Sequence, residues 1–321
     1  MRRSLLSSSS FTSSAAIVSK SEDDVVRAID VDPKTLEVGA TASAHAFEQA
    51  IVHVTEEINA RDPKKLDALI GSLAPEGPYA YTILPEVGED GSVKLPVLTT
   101  RDEIAGAYGF IRGMSALHEV IGLSEIRGAW YLFQDNISRG APHGSDVLNN
   151  RQTLALFPSG AGVGITGELV WMRIPRERLG APEEVDVIDP DPLLARRQVI
   201  DQYARYLDGL RANDLDAVLD TLHDAVASAI RDYVDDTGTL VELTGKEAHR
   251  DWYRALFDKY KIRSVQPLYQ VTEDWYVFTE LRLIAAPRKA GGTIAFHTAE
   301  FFIPSKDGRF IARVGHGTEP V

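Results

Sequence analysis

Two residues in the C-terminal half of the sequence combine reactive groups with apolar surroundings. Tyr206 lies on the apolar face of a helical pattern, one turn after Tyr203, where its hydroxyl could donate a hydrogen bond to a developing oxyanion. Glu300 lies in a strand pattern between Phe296 and Phe301, so burial should raise the pKa of its carboxyl group and keep it neutral near pH 7. Together these groups would polarise an oxygen atom of a small, apolar carbonyl compound.

Each of these residues also has a structural alternative. Tyr206 could be a core tyrosine whose hydroxyl binds a backbone carbonyl. Glu300 could form a salt bridge with Arg313, which lies on the next predicted strand. Asp232 is a candidate base for proton abstraction, but it could equally begin an acidic turn with Asp235, because acid-rich turns are common.

The elements that must position these residues occur twice. The segment Trp130-Tyr131-Leu132-Phe133 matches Trp275-Tyr276-Val277-Phe278 at an offset of 145 residues, and Tyr108 matches Tyr253 at the same offset. In each copy, three helical patterns precede a run of strand patterns. This segregation predicts an α+β fold, with helices packed on an antiparallel sheet and a cavity between the two layers.

The repeats set the predicted domain boundaries. Residues 1–40 are serine-rich and are predicted to form a disordered tail, with a targeting peptide as the alternative. Residues 41–176 form the first domain and residues 193–321 the second. Residues 177–192, rich in proline and charge, form the linker.

Composition limits the classes of partner. The net charge of -13 and the pI of about 5.1 argue against a nucleic-acid or anionic-membrane surface. The absence of cysteine excludes thiolate zinc sites and cysteine nucleophiles. We find no motif for a metal or a cofactor, and we expect neither. A cytoplasmic location is the simplest expectation.

Several segments of the second copy resemble one fold family. They are Arg205-Tyr206, Ala212–Asp216, Leu243–Ala248 and the closing hairpin Glu300–Arg313. All four are similar to segments of nuclear transport factor 2-like proteins, which include ketosteroid isomerase and the SnoaL-like polyketide cyclases. The resemblance implies two tandem cone-shaped α+β barrels, each with three helices packed on a curved antiparallel sheet.

The resemblance also implies roles for individual residues. Tyr206 matches the oxyanion tyrosine of ketosteroid isomerases, and Glu300 matches their protonated acid. Their general base corresponds to Ile230, which cannot take a proton, so Asp232 would act as a displaced base on the same strand face. Four residues are expected to line the pocket: Tyr203, Ile230, Trp252 and Phe302.

The first copy lacks these matches. Val54, Pro78 and Leu154 stand where the resemblance calls for the tyrosine, the base and the acid. The first domain is therefore expected to take the place of the second subunit of the family's dimers, which makes the chain an intrachain pseudo-dimer. Further homo-oligomers stay open.

The predicted function is that of a small-molecule pocket protein. The C-terminal domain would be a cofactor-free isomerase, cyclase or dehydratase that acts on an apolar carbonyl compound. The alternative is a non-catalytic ligand-binding or protein-interaction scaffold with a vestigial pocket. A third hypothesis, epoxide hydrolysis, would need an Asp/Arg/Asp-like set that the sequence pattern does not assemble.

Overall fold

A computed structural model describes residues 33–60, 66–88, 92–145, 147–160, 164–173 and 192–320. The chain separates into a short unit, Met1–Val38, and a large one, Gly39–Val321. Of the short unit, only the first residues of helix α1 are described. The predicted linker lies outside the described residues, except for Pro192.

The first half of the chain contains three helices and seven strands among its described residues. The helices are α1 (Pro33–Asn59), α2 (Asp67–Gly71) and α3 (Arg101–Met114). The strands are β1 (Ala80–Thr82), β2 (Glu86–Val87), β3 (Val93–Lys94), β4 (Ser115–Arg127), β5 (Tyr131–Pro142), β6 (Asn149–Pro158) and β7 (Gly167–Arg173).

The second half repeats this order. Its helices are α4 (Pro192–Ala212), α5 (Leu215–Asp220) and α6 (Gly245–Lys259). Its strands are β8 (Leu222–Arg231), β9 (Leu240–Thr244), β10 (Tyr260–Thr272), β11 (Val277–Pro287), β12 (Ile294–Pro304) and β13 (Phe310–Gly317). Among the described helices, none has both the length and the apolar character needed to cross a membrane.

Local signals explain where several helices begin. Thr100 and Glu103 form a capping box at the start of α3, in which each side chain binds the backbone N–H of the other residue. Asp214 caps α5 by accepting a hydrogen bond from the backbone N–H of Ala217. These caps satisfy backbone donors that have no partner within the helix.

The two sheets share one strand order. The order β1-β7-β6-β5-β4 in the first sheet corresponds to β8-β13-β12-β11-β10 in the second. The second sheet has the extra edge strand β9 beside β8. The first strand of each sheet in chain order, β1 or β8, pairs in parallel with the last strand, as Ala80 with Gly167 and Ala227 with Ala312. Each sheet therefore contains one parallel pair and is not purely antiparallel as predicted. The tandem α+β architecture is confirmed.

Some boundaries differ from those predicted. Helix α1 begins at Pro33, inside the predicted tail. The polar residues of segment 138–150 predict a loop, but β5 continues to Pro142 and β6 begins at Asn149, so the loop is much shorter. The patterns at 79–84 and 93–98 predict a pair of strands, but a single bridge between Tyr81 and Leu98 joins them.

A third apolar core lies between the sheets, in addition to the helix–sheet core of each domain. At its centre the rings of Phe133 and Phe278 stack, with centroids 3.9 Å apart. Two hydrogen bonds flank this stack: Tyr131 donates to Glu280 at 2.9 Å, and Tyr276 donates to Asp135 at 3.2 Å. The two tyrosines are 145 residues apart, as are the two phenylalanines and the two acids. Each contact that one domain makes is therefore matched by an equivalent contact from the other, so the contacts are reciprocal.

We expect Phe133→Ala to lower the free energy of unfolding by about 3–5 kcal/mol, because it removes a fully buried ring from this core and leaves a cavity. Urea denaturation measures the loss. Phe110→Ala is the matched control, since the Phe110 side chain is 59% exposed and should cost far less. Equal losses in the two variants would contradict the central role of the stack.

Candidate functional site

The cavity that stands out in the structure lies in the first domain. It has a volume of about 420 Å³ and lies between the helices α1 and α3 and the strands β4–β7. Much of its lining is apolar, and includes Val54, Ile83, Leu84, Ile111, Met114 and Val170. A cavity of this size and polarity suits a small, mostly apolar molecule.

Four polar side chains line one region of this cavity. Arg112 donates a hydrogen bond to Glu57, with 2.6 Å between Nη2 and Oε1. The hydroxyl of Tyr108 is hydrogen-bonded to Oε2 of Glu168. All four side chains are nearly or fully buried, with at most 14% of a side chain exposed. We call Glu57, Tyr108, Arg112 and Glu168 the acid–arginine cluster.

Helical spacing brings these side chains together. Tyr108 and Arg112 are one turn apart on α3, so both face α1 and the sheet. Glu57 lies one turn after His53 on α1. Glu168 follows the first residue of β7, whose alternate side chains Val170 and Met172 also line the cavity.

Burial sets the electrostatics of this region. It raises the pKa of Glu57 to about 7, and the negative charge of Glu168 adds to that effect, while the positive charge of Arg112 opposes it. Burial also raises the pKa of Tyr108 well above its usual value. At neutral pH, therefore, Tyr108 is a hydrogen-bond donor and Glu57 exists in both its protonated and its ionised form.

His53 lies behind the acid–arginine cluster and is fully buried. Its Nδ1 lies 2.6 Å from Oγ of Ser72, and its Nε2 lies 2.8 Å from the hydroxyl of Tyr108. Nε2 is also 3.4 Å from Oε2 of Glu168. His53 thus connects to the cavity through two members of the cluster.

Three side chains near this site are potential metal ligands. One potential ligand atom each from His53, Glu57 and Glu168 lies within 4.8 Å of the others. However, the guanidinium of Arg112 already neutralises Glu57, and Tyr108 already binds Glu168. A cation would meet a fixed positive charge and displace these hydrogen bonds, so the contacts favour a cluster held together by protons.

The predicted pair Tyr206 and Glu300 belongs to a different network in the C-terminal domain. Arg313 donates to Oε2 of Glu300 from Nε and Nη2, at 2.8 and 2.7 Å, and from Nη1 to the hydroxyl of Tyr253 at 2.6 Å. Tyr253 in turn is 2.9 Å from the hydroxyl of Tyr206. The structure therefore forms the salt bridge that was the structural alternative for Glu300.

Asp232 adopts its structural alternative as well. It follows the last residue of β8 and accepts hydrogen bonds from the backbone N–H of Val234, at 2.9 Å, and from the indole of Trp252, at 3.2 Å. It therefore holds the turn after β8. Catalytic roles for Asp232, Tyr206 and Glu300 stay predictions.

The side chains predicted to line the pocket are packed in the core of the second domain. Tyr203, Ile230, Trp252 and Phe302 are all buried there, and none of them lines the 420 Å³ cavity. The ring of Phe302 lies 4.9 Å from that of Tyr206, between centroids. The cavity is thus in the other domain from the one that the sequence indicated.

Residue equivalences between the sheets explain this difference. Gln134 pairs with Ala155, and Thr279 pairs with Glu300, so at the offset of 145 Ala155 is the counterpart of Glu300. The same offset relates Glu168 to Arg313. Small Ala155 leaves space in the first domain, whereas the Glu300–Arg313 ion pair fills the corresponding space in the second.

These equivalences correct three predicted matches. Ala155, rather than Leu154, corresponds to Glu300. The first strands β1 and β8 pair in parallel with equivalent residues of β7 and β13. This register makes Ile83, rather than Pro78, the counterpart of Ile230.

On the first helix, His53 contacts Tyr108 as Tyr206 contacts Tyr253, so His53 rather than Val54 takes the tyrosine's position. The loops differ in length between the two copies. An alignment based on loop motifs is therefore out of register within the helices and strands, which explains the three errors.

Sequence reasoning missed the acid–arginine cluster. Tyr108 was noticed only as part of the repeat, and Glu57, Arg112 and Glu168 were not singled out. One signal was present: Glu57 continues the apolar face of the first helix, where an acid at such spacing is unusual.

Comparison with known families bears on the second domain. The model of the SnoaL-like domain matches residues 203–313. This part of the chain is similar to the SnoaL-like domain family. The first half repeats the element order of the second half, although the family model matches only the second. No curated protein matches the chain in sequence.

Solved structures with this fold align with about two fifths of the chain. A nuclear transport factor 2-like protein of unknown function from Burkholderia pseudomallei is 13% identical, with 38% of this chain and 91% of that chain covered and a TM-score of 0.34. An LEH-like epoxide hydrolase from M. tuberculosis is 15% identical, with 38% and 84% covered and a TM-score of 0.32.

A protein provisionally assigned as a polyketide cyclase, from Xanthomonas campestris, is 17% identical, with 38% and 91% covered and a TM-score of 0.32. At this level of similarity, the function of these proteins says nothing about the function of the SnoaL-like domain.

We expect Glu57→Gln to remove part of the pH dependence of stability. The pKa of Glu57 in the folded protein, about 7, lies above its ordinary value of 4.5, so the folded state holds the proton more tightly. The free energy of unfolding should therefore fall as the pH rises through 7, by about 1.4 kcal/mol between about pH 6 and about pH 8. Urea denaturation at both pH values should show a smaller fall in the variant.

The matched control for this experiment is Glu48→Gln, an exposed position on the same helix. It should keep the pH dependence of the wild type. If Glu57→Gln and the wild type lost the same stability over this range, the raised pKa of Glu57 would be contradicted.

We also expect Glu300→Gln to lower the free energy of unfolding by about 3–5 kcal/mol, because it leaves the buried charge of Arg313 without its partner. The double variant Glu300→Gln/Arg313→Met should recover much of this loss. Glu242→Gln, an exposed position on β9, is the control. Full stability of Glu300→Gln would show that the ion pair is not required.

Proposed function

We propose that the first domain binds a small, mostly apolar molecule and transfers protons to and from it, in an isomerisation, cyclisation or dehydration of a carbonyl compound. The observation that carries this proposal is the position of the acid–arginine cluster in an otherwise largely apolar cavity of about 420 Å³. Ionisable groups are rarely buried in such a place unless they are paired or used.

The cluster contains the groups that this chemistry needs. Glu57 has a pKa of about 7, so at neutral pH it can take a proton from a carbon and return it elsewhere. The hydroxyl of Tyr108 binds the Glu168 carboxyl group, which lines the cavity. Nε of Arg112 is buried and has no hydrogen-bond partner within the described part of the chain, so it is available to a substrate oxygen that becomes negative.

One further group supports the binding of an oxygen-bearing ligand. Asn136 lines the cavity with 3% of its surface exposed, and its Oδ1 has no partner among the described residues. An unpaired buried acceptor is costly. A ligand hydroxyl at this position would satisfy it.

For the C-terminal SnoaL-like domain, the contacts support the non-catalytic alternative. Arg313 fills the space between Glu300 and Tyr253, and its guanidinium carbon lies 5.5–5.9 Å from the centroids of four aromatic rings. We infer that this domain serves the first one as a second subunit would, in an intrachain pseudo-dimer. The reciprocal contacts of Tyr131 and Tyr276 support this arrangement.

Binding can be tested before a substrate is known. A panel of small cyclic ketones and enones is screened for compounds that raise the Tm of the wild-type protein. Ala155→Leu, which places a larger side chain in the cavity, should abolish the shift. If the shift persisted in Ala155→Leu but disappeared in Tyr206→Phe, the ligand would bind the second domain and the proposal would be wrong.

Proton transfer is tested by deuterium exchange. The compounds that bind are incubated in D₂O, and NMR follows exchange at the carbon next to the carbonyl group. We expect Glu57→Gln to lower the protein-dependent rate by about a hundredfold or more, since it removes the proton acceptor. Glu48→Gln should exchange at the wild-type rate. An unchanged rate in Glu57→Gln would refute the role of this carboxyl group.

A further inference from the structure

Hydrogen counting fixes one proton of His53. The hydroxyl of Ser72 lies 2.6 Å from the carbonyl oxygen of Leu69, and this contact requires the only hydroxyl hydrogen of Ser72. The oxygen of Ser72 can therefore only accept from Nδ1 of His53, which lies 2.6 Å away. Nδ1 carries a proton whether the imidazole is neutral or charged.

The other nitrogen of His53 leaves a choice. Nε2 and Oε2 of Glu168 both contact the hydroxyl of Tyr108, but a hydroxyl has one hydrogen and can donate to only one of them. Either a protonated Nε2 donates to Tyr108, which donates to the Glu168 carboxylate, or a protonated Glu168 donates to Tyr108, which donates to neutral Nε2.

These two arrangements differ by the place of one proton. In going from the first to the second, the N–H proton of His53 moves to the oxygen of Tyr108, and the hydroxyl proton of Tyr108 moves to Glu168. No other group gains or loses a proton, and the total charge of the three residues is unchanged.

We propose that His53, Tyr108 and Glu168 form a proton relay that stores one proton behind the cavity wall and delivers it to the cavity through Glu168. His53 does not line the cavity, so it acts through Tyr108 and Glu168 as a positioning residue. The relay adds a source of protons to the proposed function, and its role in catalysis rests on that function.

The surroundings allow both arrangements. The charged and titratable groups that face the relay are Glu57 on α1, Arg112 on α3 and Tyr81 on β1. The Glu57–Arg112 pair is neutral as a unit when Glu57 is ionised. Ser72 accepts the Nδ1 hydrogen bond of His53 in both arrangements, so this contact is kept when the proton moves.

The proton on Glu168 also affects Glu57. The negative charge of Glu168 helps to raise the pKa of Glu57, and the effect is reciprocal because it is one electrostatic interaction. When Glu57 gives up its proton, a proton moving from His53 to Glu168 removes the adjacent negative charge. The relay would thus help Glu57 to act as a base and as an acid in one reaction.

The decisive experiment follows the two nitrogens of His53 by ¹⁵N NMR as a function of pH, in the ligand-free protein. His53→Gln identifies the resonances by their loss. We expect Nδ1 to be protonated at every pH measured. Tyr108→Phe, which breaks the link, and Glu168→Gln, which removes the counter-charge, should each change the ¹⁵N chemical shift of Nε2 near neutral pH, because each variant removes a partner of the shared proton.

Tyr269→Phe is the matched control. Tyr269 is 55% exposed and lies on β10, in the other domain. This variant should leave the ¹⁵N chemical shifts of His53 unchanged. Circular dichroism at each pH verifies that the isosteric variants Tyr108→Phe and Glu168→Gln are folded.

Three outcomes would overturn the relay. They are an unprotonated Nδ1 in the wild type near neutral pH, the same Nε2 chemical shift in Tyr108→Phe as in the wild type, and one-to-one binding of Zn²⁺ that is lost in Glu168→Gln. The last result would assign the cluster to a metal instead.

A second readout links the relay to exchange on a bound ketone. We expect His53→Gln to lower kcat by about tenfold or more with little change in KM, because His53 does not touch the ligand. Tyr269→Phe should keep the wild-type values. The NMR titration needs no ligand, so it can contradict the relay while the exchange assay supports the proposed function, and the reverse also holds.

Discussion

A buried carboxylate needs a partner, and the partners of Glu168 and Glu300 determine what each domain contains. Glu300 is neutralised by Arg313, a long side chain that reaches across the interior and fills it. Glu168 is instead held by the hydroxyl of Tyr108, with His53 behind it, and this arrangement occupies little space. The same fold therefore has a packed interior in one domain and a cavity with ionisable groups in the other.

The two sheets pack against each other on one face, and the 420 Å³ cavity lies on the other face of the first sheet. The Phe133–Phe278 stack is at the centre of the packed faces. The cavity lies on the opposite face, beneath the helices. Because strand side chains alternate, Leu154 faces the neighbouring sheet while Ala155 faces the cavity.

The sequence was sufficient to predict the repeat and the fold, because both rest on periodic patterns and matched offsets. It did not locate the cavity. Aligning the copies one residue out of register exchanged Ala155 for Leu154, and a shift of one residue in a strand moves a side chain to the other face. The sequence does predict the salt bridge of Glu300, as an alternative. It does not predict that Arg313 fills the interior of the second domain. That filling depends on contacts with residues distant in sequence, such as Tyr253, and periodicity does not reveal such contacts.

The joining of both domains in one chain has an evolutionary consequence. In a homodimer, any substitution appears in both subunits, so an arginine that closed one cavity would close the other. Here the reciprocal contacts around Phe133 and Phe278 are encoded by two separate stretches of sequence. Each half can mutate alone, so an arginine can fill the interior of one half while the other half keeps an open cavity.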